Sequence, residues 1–405
     1  MPRKLLLSDS GISLILHGLK SVVALAINWM VLTQFSSADY LTWAVSSSIL
    51  VVATASDLGI GQYAATKFIH ATLDLRTAIV RESLVALAPL ALGAVAFVYL
   101  ALGSEPAAYK AAMATFIGLR VLSIPFGAVL NAVNQFKLRK AIEVGVYLAS
   151  AVLIAWVAYA GQPVLWALLT LNVFFMVGGL VTMLLAARYF DVRALWGNFP
   201  GCACLGRVYC SSVPFMVNNV TGLLTYGGFI WISSFFLGAN DIAKLAVLHT
   251  FVLMNLYQLY DVFLKARQAD LVESGIAARA RRINVFVMAG VPMVFLALGG
   301  EAFQLLTDDI QFSRLDVFLF SLFMSLELGF LLIQSLVQVR WDLSKSLSLY
   351  SIIRLLCQAA ALVTFILLPV GVGLAEYIAL FAATSAVGFF LVFRHLDLQL
   401  QRKVH

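Results

Sequence analysis

Twelve apolar runs, each about as long as a membrane-crossing helix, divide this sequence and leave little chain between them. They lie near 10–34, 40–57, 83–103, 111–135, 144–160, 164–187, 212–237, 242–264, 284–306, 315–339, 346–369 and 374–393. A helix needs about 20 apolar residues to cross the hydrocarbon of a bilayer. Only 12% of the residues are charged, where a soluble domain carries about 25%. The pattern therefore excludes a soluble protein. It also excludes a membrane barrel, whose strands would read as short alternating segments. The first run is interrupted by Asp9, His17 and Lys20 and is followed by no small-residue cleavage site, so it reads as a first span and not as a signal peptide.

The positive charges orient these spans. With both termini in the cytoplasm, 21 of the 27 Lys and Arg fall on the inner side, for example Lys67, Arg76 and Arg81, Lys137, Arg139 and Lys140, and Arg279, Arg281 and Arg282. Only Lys110, Lys244 and Arg314 fall outside. That asymmetry is the positive-inside rule for one orientation and not the other. The formal charge of +7 is thus a topological signal, and no nucleic-acid partner is implied. The outer loops are short, the longest near 307–314, which leaves no external domain for catalysis.

The halves look related. FSSADYLTWAV (35–45) follows the first span and LGANDIAKLAV (237–247) follows the seventh. At an offset of 202, Asp39 meets Asp241, Val45 meets Val247 and Trp29 meets Trp231. An even number of spans per half makes the repeat parallel. The expectation is an all-α integral membrane protein with about twelve transmembrane helices, in two pseudo-repeated six-helix bundles (1–200 and 201–405) around a central cavity.

No catalytic motif is present: no P-loop, no HExxH and no nucleophile elbow. The five histidines are scattered, and Cys202, Cys204 and Cys210 fit no common zinc spacing. That cysteine cluster reads as a cytoplasmic loop of inert thiols. The chain is expected to be a transporter and not an enzyme, with no metal and no cofactor.

The informative residues are charges inside spans: Lys20, Arg120, Glu327 and Arg354, each near mid-membrane. A Lys, Arg or Asp there costs about 2.5–3.5 kcal/mol on insertion scales, and such side chains face a bundle interior or a wet cavity. Their neighbours form polar stripes at helical spacing. These are Arg120, Ser123, Gly127, Asn131 and Asn134; Glu327, Gln334 and Gln338; Ser351, Arg354 and Gln358; His17, Lys20, Ala24 and Asn28; and Asn218, Thr221 and Thr225. Three cations and one acid suit an anionic passenger, because the planar guanidinium fork matches phosphate oxygens. The competing reading is that Glu327 pairs with Arg354 or Arg120 to lock helices together. Asp57 and Asp261, at the inner ends of corresponding spans, are gate or proton-site candidates; the alternative is that each ends a span and pairs with a nearby Lys or Arg. The segment from Lys67 to Arg81 reads as an amphipathic piece at the membrane surface.

The stretch FSSADYLTWAVSSSILVVATASDLGIGQYAATKFI, with its Asp57-Leu58-Gly59-Ile60-Gly61 step, resembles the polysaccharide transporters of the multidrug/oligosaccharidyl-lipid/polysaccharide exporter superfamily, particularly O-antigen-type flippases. The resemblance is clearest over the first 80 residues or so. It implies a flippase that moves an undecaprenyl-diphosphate-linked oligosaccharide across the bacterial inner membrane by alternating access. The implied partners are that lipid-linked substrate, membrane lipids and the polysaccharide polymerase machinery. It also implies a cationic lumen, for which Lys20, Arg120 and Arg354 are the candidates by position, with Asn131 and Asn218 as polar contacts and Glu327, Asp57 and Asp261 in coupling or gating. A multidrug exporter of the same fold would show acids where this chain has Lys20. A major-facilitator transporter would carry an Asp-Arg signature after span two, where this chain has Asp57-Leu58-Gly59.

Overall fold

Helix α1 (Asp9–Gln34) is the first of the elements in the computed structural model. The structure describes residues 9–54, 57–68, 71–103, 105–133, 135–196, 201–222, 227–254, 310–339, 345–368 and 373–401, with single positions 225, 290 and 294. After α1 come α2 (Ser37–Thr54), α3 (Ile60–Phe68), α4 (Leu73–Ala101), α5 (Ala107–Ala132), α6 (Phe136–Tyr159), α7 (Val164–Ala186) and α8 (Cys202–Gly222). Then follow α9 (Phe229–Ser233), α10 (Ala239–Leu248), α11 (Arg314–Val339), α12 (Lys345–Leu367) and α13 (Leu374–Gln401). All regular structure among the described residues is helical, as the apolar periodicity requires. Eight helices among the described residues are long and apolar enough to cross a membrane: α1, α4, α5, α6, α7, α11, α12 and α13. This is the fold class of a multi-pass membrane protein. The expected ninth span, near 284–306, falls largely outside the described residues, and Asp261 falls wholly outside them.

The chain divides into two compact units, Met1–Trp231 and Ile232–His405. In the first, α5 packs against α3, α4 and α7, α6 packs against α1 and α7, and α8 packs against α3 and α4. Helix α5 is the most enclosed of this unit's spans, which suits its run of small residues at Gly118, Gly127 and Ala128. One end of the unit closes over an apolar cluster of Phe68, Val80, Phe126, Leu130 and Phe190. In the second unit α11 is the enclosed helix, with α13 against both α11 and α12. Its core is aromatic: Phe320, Phe323 and Phe381 contact edge-on, and Tyr377 meets Phe365 at 4.9 Å.

Helix starts are fixed by local chemistry. Ser36 and Asp39 bond reciprocally at the head of α2, and Ser313 and Asp316 do the same at α11. At α13 the Gly373 amide donates to Glu376 at 3.0 Å. Each satisfies amides that have no partner in the first helical turn.

Three boundaries differ from the sequence reading. Helix α4 begins at Leu73, so Arg76 and Arg81 belong to its first turns and not to a separate surface segment. Arg76 lies over the Phe68 ring at 5.1 Å, as a long cation does when its stem is apolar and its head reaches for an interface. Helix α6 begins at Phe136, eight residues before the apolar run. Helix α8 begins at Cys202, so Cys202, Cys204 and Cys210 sit on a helix and not in a loop; Cys210 is an exposed free thiol. Apolar content marks the hydrocarbon, whereas a helix continues into the charged interface.

Two features interrupt the regular helices. Beyond Gly222, positions 225 and 227 are π-helical and lead toward the short α9. Ser48 of α2 braces this irregular stretch: its hydroxyl donates to the Gly227 carbonyl and accepts the Trp231 amide at 3.1 Å. A helix that departs from regular α geometry within a membrane needs such partners for its freed backbone groups. The second is the elbow between α2 and α3, where Leu58 has φ +49° and Gly59 φ +79°. A Cβ on Gly59 would stand 2.5 Å from the Cβ of Phe215 on α8, so only glycine permits both the turn and the close approach. Gly59→Ala should therefore lower stability by about 1–3 kcal/mol, read as an earlier thermal unfolding of the purified protein. Gly145→Ala on α6, where nothing lies within 4 Å, should melt with the wild type. Equal melting of the two variants would contradict the elbow account.

Candidate functional site

In the first unit, α1, α5, α6 and α7 bring a set of charges together. Lys20 of α1 reaches Glu143 of α6 at 3.4 Å. Glu143 also takes Lys140 at 2.8 Å and Arg139 at 3.3 Å from the preceding turn of its own helix. Arg139 bridges onward, donating to the Gly127 carbonyl of α5 at 3.4 Å. A Cβ on Gly127 would press on that guanidinium at 3.3 Å, which explains a glycine in the middle of the α5 stripe. Above these groups Tyr147 and Phe175 contact edge-on at 5.2 Å, with Lys20 over the Tyr147 ring at 5.4 Å and Arg120 over the Phe175 ring at 4.3 Å.

Three cations thus hold one acid, and a fourth, Arg120, lies across the aromatic pair. Arg120 is half-buried and, among the described residues, makes no ion pair; the face of Phe175 is its partner. A ring face gives a cation about 0.5–2 kcal/mol, well short of neutralising it. The rest of the α5 stripe faces the same neighbours: Ser123 lies against Gly179 of α7, and Asn131 is half-buried with its side-chain oxygen lacking a hydrogen-bond partner among the described residues. Asn218 lies on α8, its side chain outside the described set. The α1 stripe is tied to α2 by the Trp43 indole N–H, which donates to Asn28 at 3.0 Å.

In the second unit the outcome is different. Arg354 of α12 forms an ion pair with Glu327 of α11, and the Ser385 hydroxyl of α13 donates to the same carboxylate at 3.2 Å. Arg354 also lies over Phe330 at 5.4 Å. Ser351, Arg354 and Gln358 are all buried, as their spacing predicted, and Glu327 is fully enclosed. The helices close on this pair because Gly329 meets Phe389 and Gly388 meets Cys357 without side chains of their own. Gln334 and Gln338 continue α11 with side chains outside the described set.

Asp57 is 8% exposed and forms no ion pair among the described residues, so the expected Lys or Arg partner is replaced by backbone. Its carboxylate accepts the Gly59 and Gly61 amides at 3.3 and 3.2 Å and the Asn219 side chain of α8. It caps α3 and holds the elbow to α8.

Glu143 was missed by the sequence reading, which began span five at residue 144 and took Arg139 and Lys140 only as inner-side loop charges. Its signal was present: Arg139 and Lys140 precede Glu143 by four and three residues, the helical spacing for ion pairs. Tyr147 and Phe175 carried no signal beyond aromatic content.

No family model matches this sequence, and no curated protein matches it significantly. The fold has clear relatives among solved structures. An inward-facing multidrug resistance MATE family transporter of the MOP superfamily aligns with TM-score 0.59 at 12% identity, covering 98% of this chain and 99% of that one. A variant of the Vibrio cholerae MATE transporter VcmN gives TM-score 0.59 at 12% identity, over 98% and 97%. A MOP superfamily transporter from Pyrococcus furiosus gives TM-score 0.54 at 14% identity, over 98% and 97%. The chain has the MATE-type fold over essentially its whole length.

The enclosed pair in the second unit makes a sharp prediction. Arg354→Met or Glu327→Gln alone strands a buried charge or its partner and should cost about 3–5 kcal/mol. The double replacement should recover most of that in thermal unfolding. Additive losses would contradict the pairing.

Proposed function

We propose that this protein is a flippase that carries an undecaprenyl-diphosphate-linked oligosaccharide from the cytoplasmic to the periplasmic leaflet of the bacterial inner membrane, for cell-surface polysaccharide synthesis. The observation that carries this reading is the excess of cations in the first unit, where, among the described residues, Lys20, Arg139 and Lys140 share Glu143 and Arg120 has no ion-pair partner. Arg120 is a charge held within a membrane helix with no ion-pair partner among the described residues, which is costly unless a ligand supplies the anion. A diphosphate does so, and guanidinium and ammonium groups recognise it through charge-assisted hydrogen bonds. The MATE-type fold supports transport by alternating access. The sequence likeness to O-antigen-type flippases supports the lipid-linked substrate. Pocket polarity also varies among the structural relatives: the Pyrococcus furiosus transporter is described as having a binding pocket of reverse polarity that suggests a different function.

In this reading the phosphates meet Lys20 and Arg120, the glycan meets polar groups such as Asn131 and Asn218, and the lipid tail stays in the bilayer. Arg354, already neutralised by Glu327, serves first as a lock within its unit. Glu327 is the proposed coupling residue, because moving a proton onto it would release Arg354. Asp57 and Asp261 act at the inner gate, Asp57 by holding the α2–α3 elbow.

The MATE relatives favour a second reading, export of drugs, and one experiment separates the two. Deleting the gene should make a lipid-linked oligosaccharide accumulate in the inner leaflet, and restoring the wild-type gene should clear it. Arg120→Gln should insert normally yet reduce clearance at least about tenfold, the equivalent of losing about 1.4 kcal/mol of binding. Unchanged surface polysaccharide with lost drug resistance would overturn the flippase reading in favour of the exporter.

A further inference from the structure

Glu143 is the focus of the first unit's charge cluster, and its geometry goes beyond supplying one negative charge. Its carboxylate is engaged by two of the three helices that carry the cations, with Lys20 on α1 and Lys140 and Arg139 on α6. Its two oxygens divide the work: Oε2 takes both ammonium groups, and Oε1 takes the guanidinium. A phosphate group offers the same donors an equivalent set of acceptors. Glu143 is also within reach of an incoming ligand, since its side chain is 24% exposed and those of Lys20 and Arg139 are 18% and 34% exposed. Arg120, across the Tyr147–Phe175 pair, makes no ion pair among the described residues and feels Glu143 only as a longer-range attraction.

We infer that Glu143 is a resident counter-anion that a phosphate of the substrate displaces. With no substrate bound it draws Lys20 and Lys140 together and joins α1 to α6. Arg120 is left available to make the first contact with a phosphate. As the phosphate settles, it takes over the donors of Lys20, Lys140 and Arg139, and Glu143 is set free. Repulsion between the freed carboxylate and the bound anion then opposes tight retention. Glu143 is a specificity and positioning residue in this scheme. It rejects weakly anionic ligands, which cannot outcompete it, and it promotes release of the correct one. The inference rests on the proposed anionic passenger.

The test uses the full-length protein in lipid nanodiscs, with inorganic pyrophosphate as the probe in calorimetric titration. Glu143→Gln should bind pyrophosphate about tenfold more tightly than the wild type, as expected when a close competing charge is removed. In proteoliposomes carrying a lipid-linked diphosphate, it should lower the apparent KM and lower the turnover together. A purely structural role for Glu143 would weaken binding and would not produce that split. Because Glu143→Gln leaves three cations without their acid and can misfold, the double variant Lys140→Met/Glu143→Gln is measured beside it. It keeps the original charge excess while removing the competitor, so it too should bind pyrophosphate more tightly than the wild type. Equal or weaker binding by the double variant, with wild-type binding abolished by Arg120→Gln, would overturn the counter-anion role and leave the anionic reading standing. If neither the wild type nor the double variant binds pyrophosphate, the anionic reading itself fails and this inference fails with it.

Discussion

A charge placed within a membrane helix must be met by another group, and that requirement organises both units of this protein. The enclosed helix of each unit carries one such charge at the same position, fourteenth in its helix: Arg120 on α5 and Glu327 on α11. The following helix of each unit carries charge of the opposite sign, Glu143 on α6 and Arg354 on α12. This pattern fits a duplicated bundle. The two copies nevertheless settle their charges differently.

In the second unit the account closes locally. Glu327, Arg354 and Ser385 join three helices, and the glycines at 329 and 388 let those helices approach closely enough to bury the pair. In the first unit extra cations enter from α1 and from the turn before Glu143, and among the described residues of the cluster the balance stays positive. A buried pair is poor evidence for net stability but good evidence for a defined arrangement of helices. An uncompensated cation in a membrane helix is better evidence for a ligand. The difference between Arg354 and Arg120 therefore carries the functional reading.

The helical, multi-span architecture was legible from apolar run length, and the polar stripes of α5 and α12 were legible from spacing. Lys20, Arg120, Glu327 and Arg354 stood out because charge is rare within a span. Partner choice was not legible: nothing in one dimension distinguishes Arg120 from Arg354 as the mate of Glu327. Glu143 was hidden for a different reason. Helix α6 continues past the end of its apolar run, so residues that look like a loop in hydropathy are on a helix face. Asp57 shows a third limit, since a carboxylate near Lys67 in sequence was satisfied by the Gly59 and Gly61 amides and by Asn219. The bond that braces the irregular stretch of span seven was invisible as well, because Gly227 and its partner Ser48 lie 179 residues apart.

The central claim is that the first unit's surplus cations receive the anionic headgroup. An experimental structure of the protein with a bound lipid diphosphate tests it most directly. Phosphate oxygens within about 4 Å of both Arg120 and Lys20, the reach of an ion pair, are the predicted result. Density for the diphosphate at Arg354, with the Arg120 and Lys20 region unoccupied, would contradict it.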